Sequence, residues 1–339
     1  MSSPSTNDSA KADAQRFRDV FGAVRDQVAR SIVGQTEIVD GVLTALFAGG
    51  HVLLEGVPGL GKTMLVRALS EAVDLDFRRI QFTPDMMPAD IQGTNVLSED
   101  ASGGHSLQFQ TGPLVSNLVL ADEINRATPK TQSALLEAMQ ERQISVAGKT
   151  IQLQEPFCVM ATQNPVEQEG TYPLPEAQLD RFLFKLVVDY PTETEVHEIL
   201  ERTTGSEQPE VQKATDGATI LELRKTARDV AVPEHVRNYA VRLVIATQPG
   251  SPHAHPSVNE FCSLGSSPRG AQSLILAGKV RALLDGRFAV STEDIRSIAL
   301  PVLRHRVLIN FRGQSEGVRA DDLIQETLRH VSPESVVAG

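Results

Sequence analysis

Gly56-Val57-Pro58-Gly59-Leu60-Gly61-Lys62-Thr63 decides how the rest of this chain is read. The stretch fits G-x-x-x-x-G-K-[ST], a loop whose glycines let the backbone bend tightly and aim its N–H groups at a phosphate. An apolar run, His51-Val52-Leu53-Leu54, precedes it, and a helical pattern of Met64, Leu65, Ala68 and Leu69 follows. The N-terminus of that helix adds positive potential. Lys62 would reach the β- and γ-phosphates of a bound nucleotide, and the Thr63 hydroxyl would hold Mg²⁺. A Gly-rich strand-to-helix turn without function is the bland alternative. The presence of strand, loop and helix together disfavours it.

The second landmark is Leu118-Val119-Leu120-Ala121-Asp122-Glu123. Four apolar residues running into two acids read as a buried parallel strand that ends at the carboxyl edge of a sheet, where ligands of open α/β proteins bind. The first acid, Asp122, suits the Mg²⁺ shell, and Glu123 can polarise an attacking water. A further strand, residues 157–162, leads to Gln163-Asn164-Pro165. An amide there could position the lytic water, although Asn-Pro by itself is more often a turn starter.

Around these landmarks the chain is ordinary for a globular protein. It has 339 residues, of which 41% are hydrophobic and 22% charged, enough for two domains or one domain with an appendage. A net charge of −11 argues against generic binding to a phosphate backbone. Two cysteines, Cys158 and Cys262, cannot form a disulfide scaffold, and a reducing compartment fits them. No apolar run has spanning length and the N-terminus is not signal-like, which suggests a cytoplasmic protein.

Residues 1–12 are rich in Ser, Asp and Asn and read as disordered. Phe17, Phe21, Val24 and Val28 have helical spacing, as do Ile38, Val42, Leu43 and Leu46, with Gly49 and Gly50 ending the second helix. Residues 77–82 read as a strand, and 83–93 as loop with a turn of helix. Residues 94–112 read as an inserted hairpin whose tip carries Glu99 and Asp100. A helix over 129–141 precedes a second hairpin, 143–153, around Ala147-Gly148-Lys149. After the strand 183–188, a helix over 193–202 runs into a polar linker.

Taken together, these residues resemble the AAA+ ATPases, and three segments resemble the MoxR family in particular. They are Asp122-Glu123-Ile124-Asn125-Arg126-Ala127, Ala161-Thr162-Gln163-Asn164-Pro165 and Leu174-Pro175-Glu176-Ala177-Gln178-Leu179-Asp180-Arg181-Phe182. The resemblance implies an α/β P-loop NTPase core, a parallel sheet with helices on both faces, plus a smaller all-helical lid. It implies residues 1–13 as tail, 14–204 as core with two inserted hairpins, 205–216 as linker, 217–332 as lid and 333–339 as tail. Lys62 and Thr63 become Walker A residues, Asp122 and Glu123 the Walker B pair, Asn164 sensor 1, Arg181 an arginine finger reaching a neighbouring subunit, and Arg269 a sensor 2 that closes the lid over the γ-phosphate. Nucleotide contacts are implied for Gly56, Pro58, Gly59, Leu60, Gly61, Lys62, Thr63 and Met64, and for Ile32 and Val33 ahead of the loop. ATP and Mg²⁺ are the implied cofactors, held between core and lid. The implied assembly is a homo-oligomeric ring, a hexamer, working with a von Willebrand factor A domain partner on a protein client.

The C-terminal part reads as all helical, over 220–230, 234–246, 272–284 and 293–306, with 249–268 as a long polar loop and a terminal helix over 320–330. Ser267 and Pro268 open the third of these helices as cap and first turn. His253 and His255 lie between prolines with no third ligand nearby, so no metal site is expected. A nucleic-acid motor is the rival reading, since helicase-type AAA+ proteins share both hairpins. Lys149 alone supports it, against the net charge and the acidic first tip. A slow nucleotide-gated scaffold is the third reading, disfavoured by the complete acid, amide and arginine set.

Overall fold

The computed structural model describes residues 6–99, 105–146, 148–165, 170–205 and 210–332. In chain order, α1 (Thr6–Ser31) and α2 (Thr36–Ala48) lead into β1 (Val52–Glu55) and α3 (Lys62–Val73). Next come β2 (Phe77–Gln81), α4 (Pro88–Gln92), β3 (Gly93–Glu99), β4 (His105–Thr111), β5 (Leu118–Asp122) and α5 (Pro129–Glu141). Then follow β6 (Gln143–Val146), β7 (Lys149–Gln152), β8 (Cys158–Gln163), α6 (Glu176–Leu179), β9 (Phe184–Val187) and α7 (Glu193–Thr204).

Five strands form a parallel sheet in the order β2-β5-β8-β1-β9. Side chains alternate across a strand, so a strand buried on both faces must be apolar at every position. Here Val52, Leu54, Leu118, Leu120, Cys158 and Met160 face one apolar cluster with α1, α2 and α3. Leu53, Val119, Ala121, Val159 and Ala161 face the other, with α5. Continuous apolar strands are thus explained by helices on both sides. The carboxyl ends of β1, β5 and β8 lie side by side, which brings Gly56, Asp122 and Asn164 to one edge.

Residues 6–13 are helical rather than part of a disordered tail. Ala14, Phe17, Phe21, Val24 and Val28 are buried, and Phe17 and Phe21 pack on Phe47 at 5.1 and 5.6 Å between ring centroids. From that anchored stretch, adding residues such as Lys11 and Ala12 to the helix costs little. The two inserted hairpins are present as β3–β4 and β6–β7. The acidic tip of the first, with Asp100, lies outside the described residues, as does Ala147 in the second. Leu97 and Leu107 pair directly across β3–β4 and are 66% and 71% exposed.

The C-terminal part holds α8 (Gly217–Asp229), α9 (Glu234–Ala246), α10 (Pro256–Phe261), β10 (Cys262–Leu264) and α11 (Pro268–Leu284). It continues with α12 (Thr292–Ser297), α13 (Ala299–Leu303), β11 (Leu308–Ile309), α14 (Phe311–Ser315) and α15 (Ala320–His330). It is not all helical, because β10 and β11 form a two-stranded antiparallel sheet. The expected polar loop over 249–268 contains α10, started by His255 as cap and Pro256 in the first turn. The expected helix over 293–306 is broken at Ile298. Pro301 has no N–H to give the carbonyl of Ser297, so an uninterrupted helix cannot form there.

The helical part does not stand apart from the sheet. Ile220, Leu223, Tyr239, Leu243, Leu274 and Ala277 belong to the same apolar cluster as α1 and α2. Arg224 donates to the carbonyl of Leu46 at 2.9 Å, and Arg16 pairs with Glu222 at 2.7 Å. The chain joining the two parts is itself tied down. Ala214 and Thr215 N–H groups donate to the Ala72 carbonyl, and Lys213 pairs with Asp74.

Candidate functional site

β1 delivers the chain into a glycine loop at the sheet edge, and α3 starts immediately after it. Gly59 and Gly61 sit at φ +87° and +76°, where only glycine is unstrained, and a Cβ on either would project into open space. Their exposed backbone therefore forms the floor of a cleft of about 330 Å³. Gly56, Pro58, Gly59, Leu60, Gly61, Lys62, Thr63 and Met64 line it from one side, and Asp122, Glu123, Thr162, Asn164 and Arg79 from the other. Lys62 is half-buried and donates to the Gly56 carbonyl. Burial pulls its pKa down, while Asp122, Glu123 and Glu55 act in the opposite sense.

Both acids are held in fixed positions. The Thr162 hydroxyl donates to Asp122 Oδ1 at 2.6 Å and accepts the Glu123 N–H at 2.9 Å. Glu123 takes the left-handed conformation, φ 57°, which turns the chain sharply after β5. Arg126 donates to Glu123 Oε2 at 2.9 Å, and Arg79 donates to Asp122 Oδ2 at 2.6 Å. Arg79 lies outside every motif, and Thr162 and Arg126 lie within motifs that assign them no role, yet all three hold the two acids. Thr162 lies near the end of the apolar β8 and Arg79 within the half-exposed β2, so only the neighbouring of β2, β5 and β8 brings both to Asp122.

A second, apolar cleft of about 240 Å³ adjoins the glycine loop. Ile32, Val33, Leu60 and Met64 line it together with Pro191, Ile199 and the stem of Arg202 from the α7 side. Gln35 Nε2 donates to the Leu60 carbonyl at 3.0 Å and ties this wall to the loop. An apolar slot continuous with a phosphate cradle suits a flat base joined to a polyphosphate. The oxygen donors Thr63 and Asp122 on one cleft are the kind Mg²⁺ takes. The residues present therefore fit a magnesium nucleotide.

Two expected members are elsewhere. Arg181 and Arg269 line a different cleft, of about 260 Å³, with Arg142, Arg306, Asp180 and His51. Among the described residues, none beyond Thr203 lines either part of the nucleotide-sized cleft. Arg269, expected as a sensor 2 closing the lid over the γ-phosphate, thus lies away from the phosphate loop of its own chain, and the lid does not wall that cleft among the described residues. The cause is packing: α11 lies against α1 and α2 on one sheet face, so its first turn opens beside β9 and α5 rather than above Lys62.

Comparison with known proteins accords with this geometry. The ATPase family associated with various cellular activities (AAA) matches residues 51–184, and the AAA lid domain matches residues 257–327. Chaperone MoxR1 of Mycobacterium tuberculosis is 42% identical over 90% of this chain and 80% of its own length. Protein MoxR of Methylorubrum extorquens is 30% identical over 86% of this chain and 89% of its own. The chain belongs to the MoxR family of AAA+ ATPases. An uncharacterised Bacillus subtilis protein, YeaC, is 43% identical to this MoxR-family chain over 92% of it and 94% of its own length. A solved structure of a candidate ATPase from Cytophaga hutchinsonii superposes with a TM-score of 0.89 at 39% identity, covering 96% of this chain and 98% of that one.

Proposed function

We propose that this MoxR-family protein is a Mg-ATP-hydrolysing motor whose catalytic centre is completed only between two subunits of a ring, most simply a ring of six. The observation that carries this reading is the separation of the two clefts. Lys62, Thr63, Asp122, Glu123 and Asn164 surround one, whereas Arg181 and Arg269 line another. An arginine set that cannot serve its own pocket is suited to a neighbour's.

In this reading the loop N–H groups and Lys62 hold the phosphates, and the slot at Ile32 and Val33 takes the base. Glu123 orients and activates water for in-line attack on the γ-phosphorus, with Asn164 placing that water. Thr63 and Asp122 hold Mg²⁺, which when bound neutralises charge on the phosphate oxygens. Arg181 and Arg269 of the adjacent subunit stabilise charge developing on the γ-phosphoryl group.

The work done is chaperone-like remodeling of a protein client, in maturation or cofactor insertion. The name of the Mycobacterium tuberculosis relative supports the chaperone part. Family resemblance supports a von Willebrand factor A partner, and the buried free thiols Cys158 and Cys262 suit a cytoplasmic setting.

The test uses two inactive variants. Arg181→Ala keeps an intact pocket and Lys62→Ala keeps intact arginines, so each alone hydrolyses poorly. Their mixture is expected to recover a measurable fraction of the wild-type rate. No recovery, or a specific activity that stays constant down to a demonstrated monomer, would rule the shared centre out.

A further inference from the structure

The acid beside Arg181 does something that the shared-centre reading leaves open. Asp180 Oδ2 accepts a hydrogen bond from the Ser267 hydroxyl at 2.7 Å, and its Oδ1 accepts from Arg306 Nε at 2.8 Å. Ser267 caps α11, its Oγ also accepting the Arg269 N–H at 3.1 Å. Arg306 follows α13. Its guanidinium reaches back to the carbonyls of Asp180, at 3.0 Å, and Phe182, at 2.7 Å, on either side of Arg181. One carboxylate thus ties the segment carrying the core arginine to the turn carrying the lid arginine.

The charges around it sharpen the point. Arg142, Arg181, Arg269 and Arg306 line this cleft, and Asp180 is the one acid lining it among the described residues. Arg142 is spent on the carbonyls of Gly49 and Phe157 and pairs with Glu155 at 3.6 Å. Arg306 is 95% removed from solvent, and its pairing with Asp180 opposes the cost of burying its charge. With the carboxylate engaged by lid donors, Arg181 is left with one carbonyl partner, that of Leu136 at 2.7 Å. The Arg269 side chain has no hydrogen-bond or ion-pair partner among the described residues. Two guanidiniums thus line one cleft, neither with a carboxylate partner among the described residues.

We propose that Asp180 is a positioning residue that joins Arg181 and Arg269 into one rigid cationic unit, presented to the phosphate of the neighbouring subunit's nucleotide. The inference rests on the shared-centre reading above. It adds that lid and finger move together, so that a change in lid angle withdraws both arginines at once. Asp180 itself touches no nucleotide.

The donor and acceptor subunits of a mixed ring separate this role from a structural one. Lys62→Ala subunits can only donate arginines, and Arg181→Ala subunits can only offer a pocket. Asp180→Asn placed in the donor is expected to lower the mixed-ring rate by about tenfold or more, as loss of a charge-stabilising group does. The same substitution in the acceptor should leave the rate within about twofold. Equal losses in both positions, or no loss in the donor, would overturn the proposal. Ser267→Ala in the same two backgrounds removes only the lid-side bond and keeps the Arg306 pair. It decides the matter if the Asp180 variant fails to fold, which melting of each donor alone reports. If the unmodified pair does not complement at all, the shared centre itself is refuted, and this role with it. That outcome differs from a pair that complements with no donor-specific loss.

Discussion

At the scale of single residues, the site is built so that each acid already has a cation. Glu123 is paired with Arg126 through Oε2 and Asp122 with Arg79 through Oδ2, so on the proposed mechanism each cation competes for a carboxylate oxygen. Glu123→Gln keeps the shape but loses the charge that the proposed mechanism uses to orient water. It is expected to bind ATP with near wild-type affinity and to hydrolyse it about a hundredfold more slowly. Calorimetry with a single-turnover assay checks both halves, and a wild-type rate would move that role to another residue. Arg79 competes for Asp122 Oδ2, a prospective metal ligand. Removing it in Arg79→Ala should therefore lower the Mg²⁺ concentration needed for half-maximal ATP binding, by about two- to tenfold. A magnesium titration followed by a fluorescent ATP analogue reads this directly. An unchanged or raised requirement would mean that Arg79 does not guard the site.

At the scale of elements, the hairpins decide what kind of polymer the motor could handle. Lys149 is exposed at the start of β7, and its neighbours Thr150 and Gly148 carry no charge. The other hairpin presents Leu97 and Leu107 side by side to solvent. A phosphate-tracking element needs several cations and loses affinity steeply as salt rises. An apolar hairpin face is better matched to a protein client. DNA and RNA are therefore expected neither to bind at physiological salt nor to raise the ATPase rate. ATPase assays across a salt series, with single- and double-stranded nucleic acid, test this. Salt-sensitive stimulation that disappears in Lys149→Ala would establish the nucleic-acid motor instead.

At the scale of the whole molecule, buried histidines fasten the fold as well as apolar packing, one within the core and one between core and lid. His51 donates from Nε2 to the Met139 carbonyl and accepts the Val159 N–H at Nδ1, both at 3.0 Å, stitching β1 to α5 and β8. His305 bonds the Phe182 carbonyl at 3.0 Å, joining lid to core. Burial, helped by nearby arginines, holds both pKa values well below 6.5. Both rings therefore stay neutral when folded. The unfolded chain binds more protons below about pH 6.5, so stability from this source is full above that value and falls as the pH drops. The slope approaches about 1.4 kcal/mol per pH unit for each histidine. Urea midpoints measured from pH 8 to pH 5 should decline once the pH passes below about 6.5. A flat profile across that window would mean that one or both rings are protonated in the fold.

The sequence by itself determined the phosphate loop, the acids after β5, the strands' two-sided burial and the spans of α5, α9 and α15. Each of these is written in local order: a glycine spacing, an apolar run, or a 3.6-residue period. It did not determine the ends and breaks governed by single residues in context, such as the helical start at Thr6 or the interruption before Pro301. Nor could it reveal Thr162 and Arg79, whose roles depend on which strands are neighbours. The position of Arg269 was decided by tertiary structure alone. A motif fixes what a side chain is, but the packing of α11 on α1 and α2 fixes which cleft it enters. That packing brings Leu274 and Ala277 of α11 into one apolar cluster with Phe17 and Leu43, more than two hundred positions earlier in the chain. No local pattern encodes a distance of that kind, so only the fold shows that Arg269 lines the cleft of Arg181 and not that of Lys62.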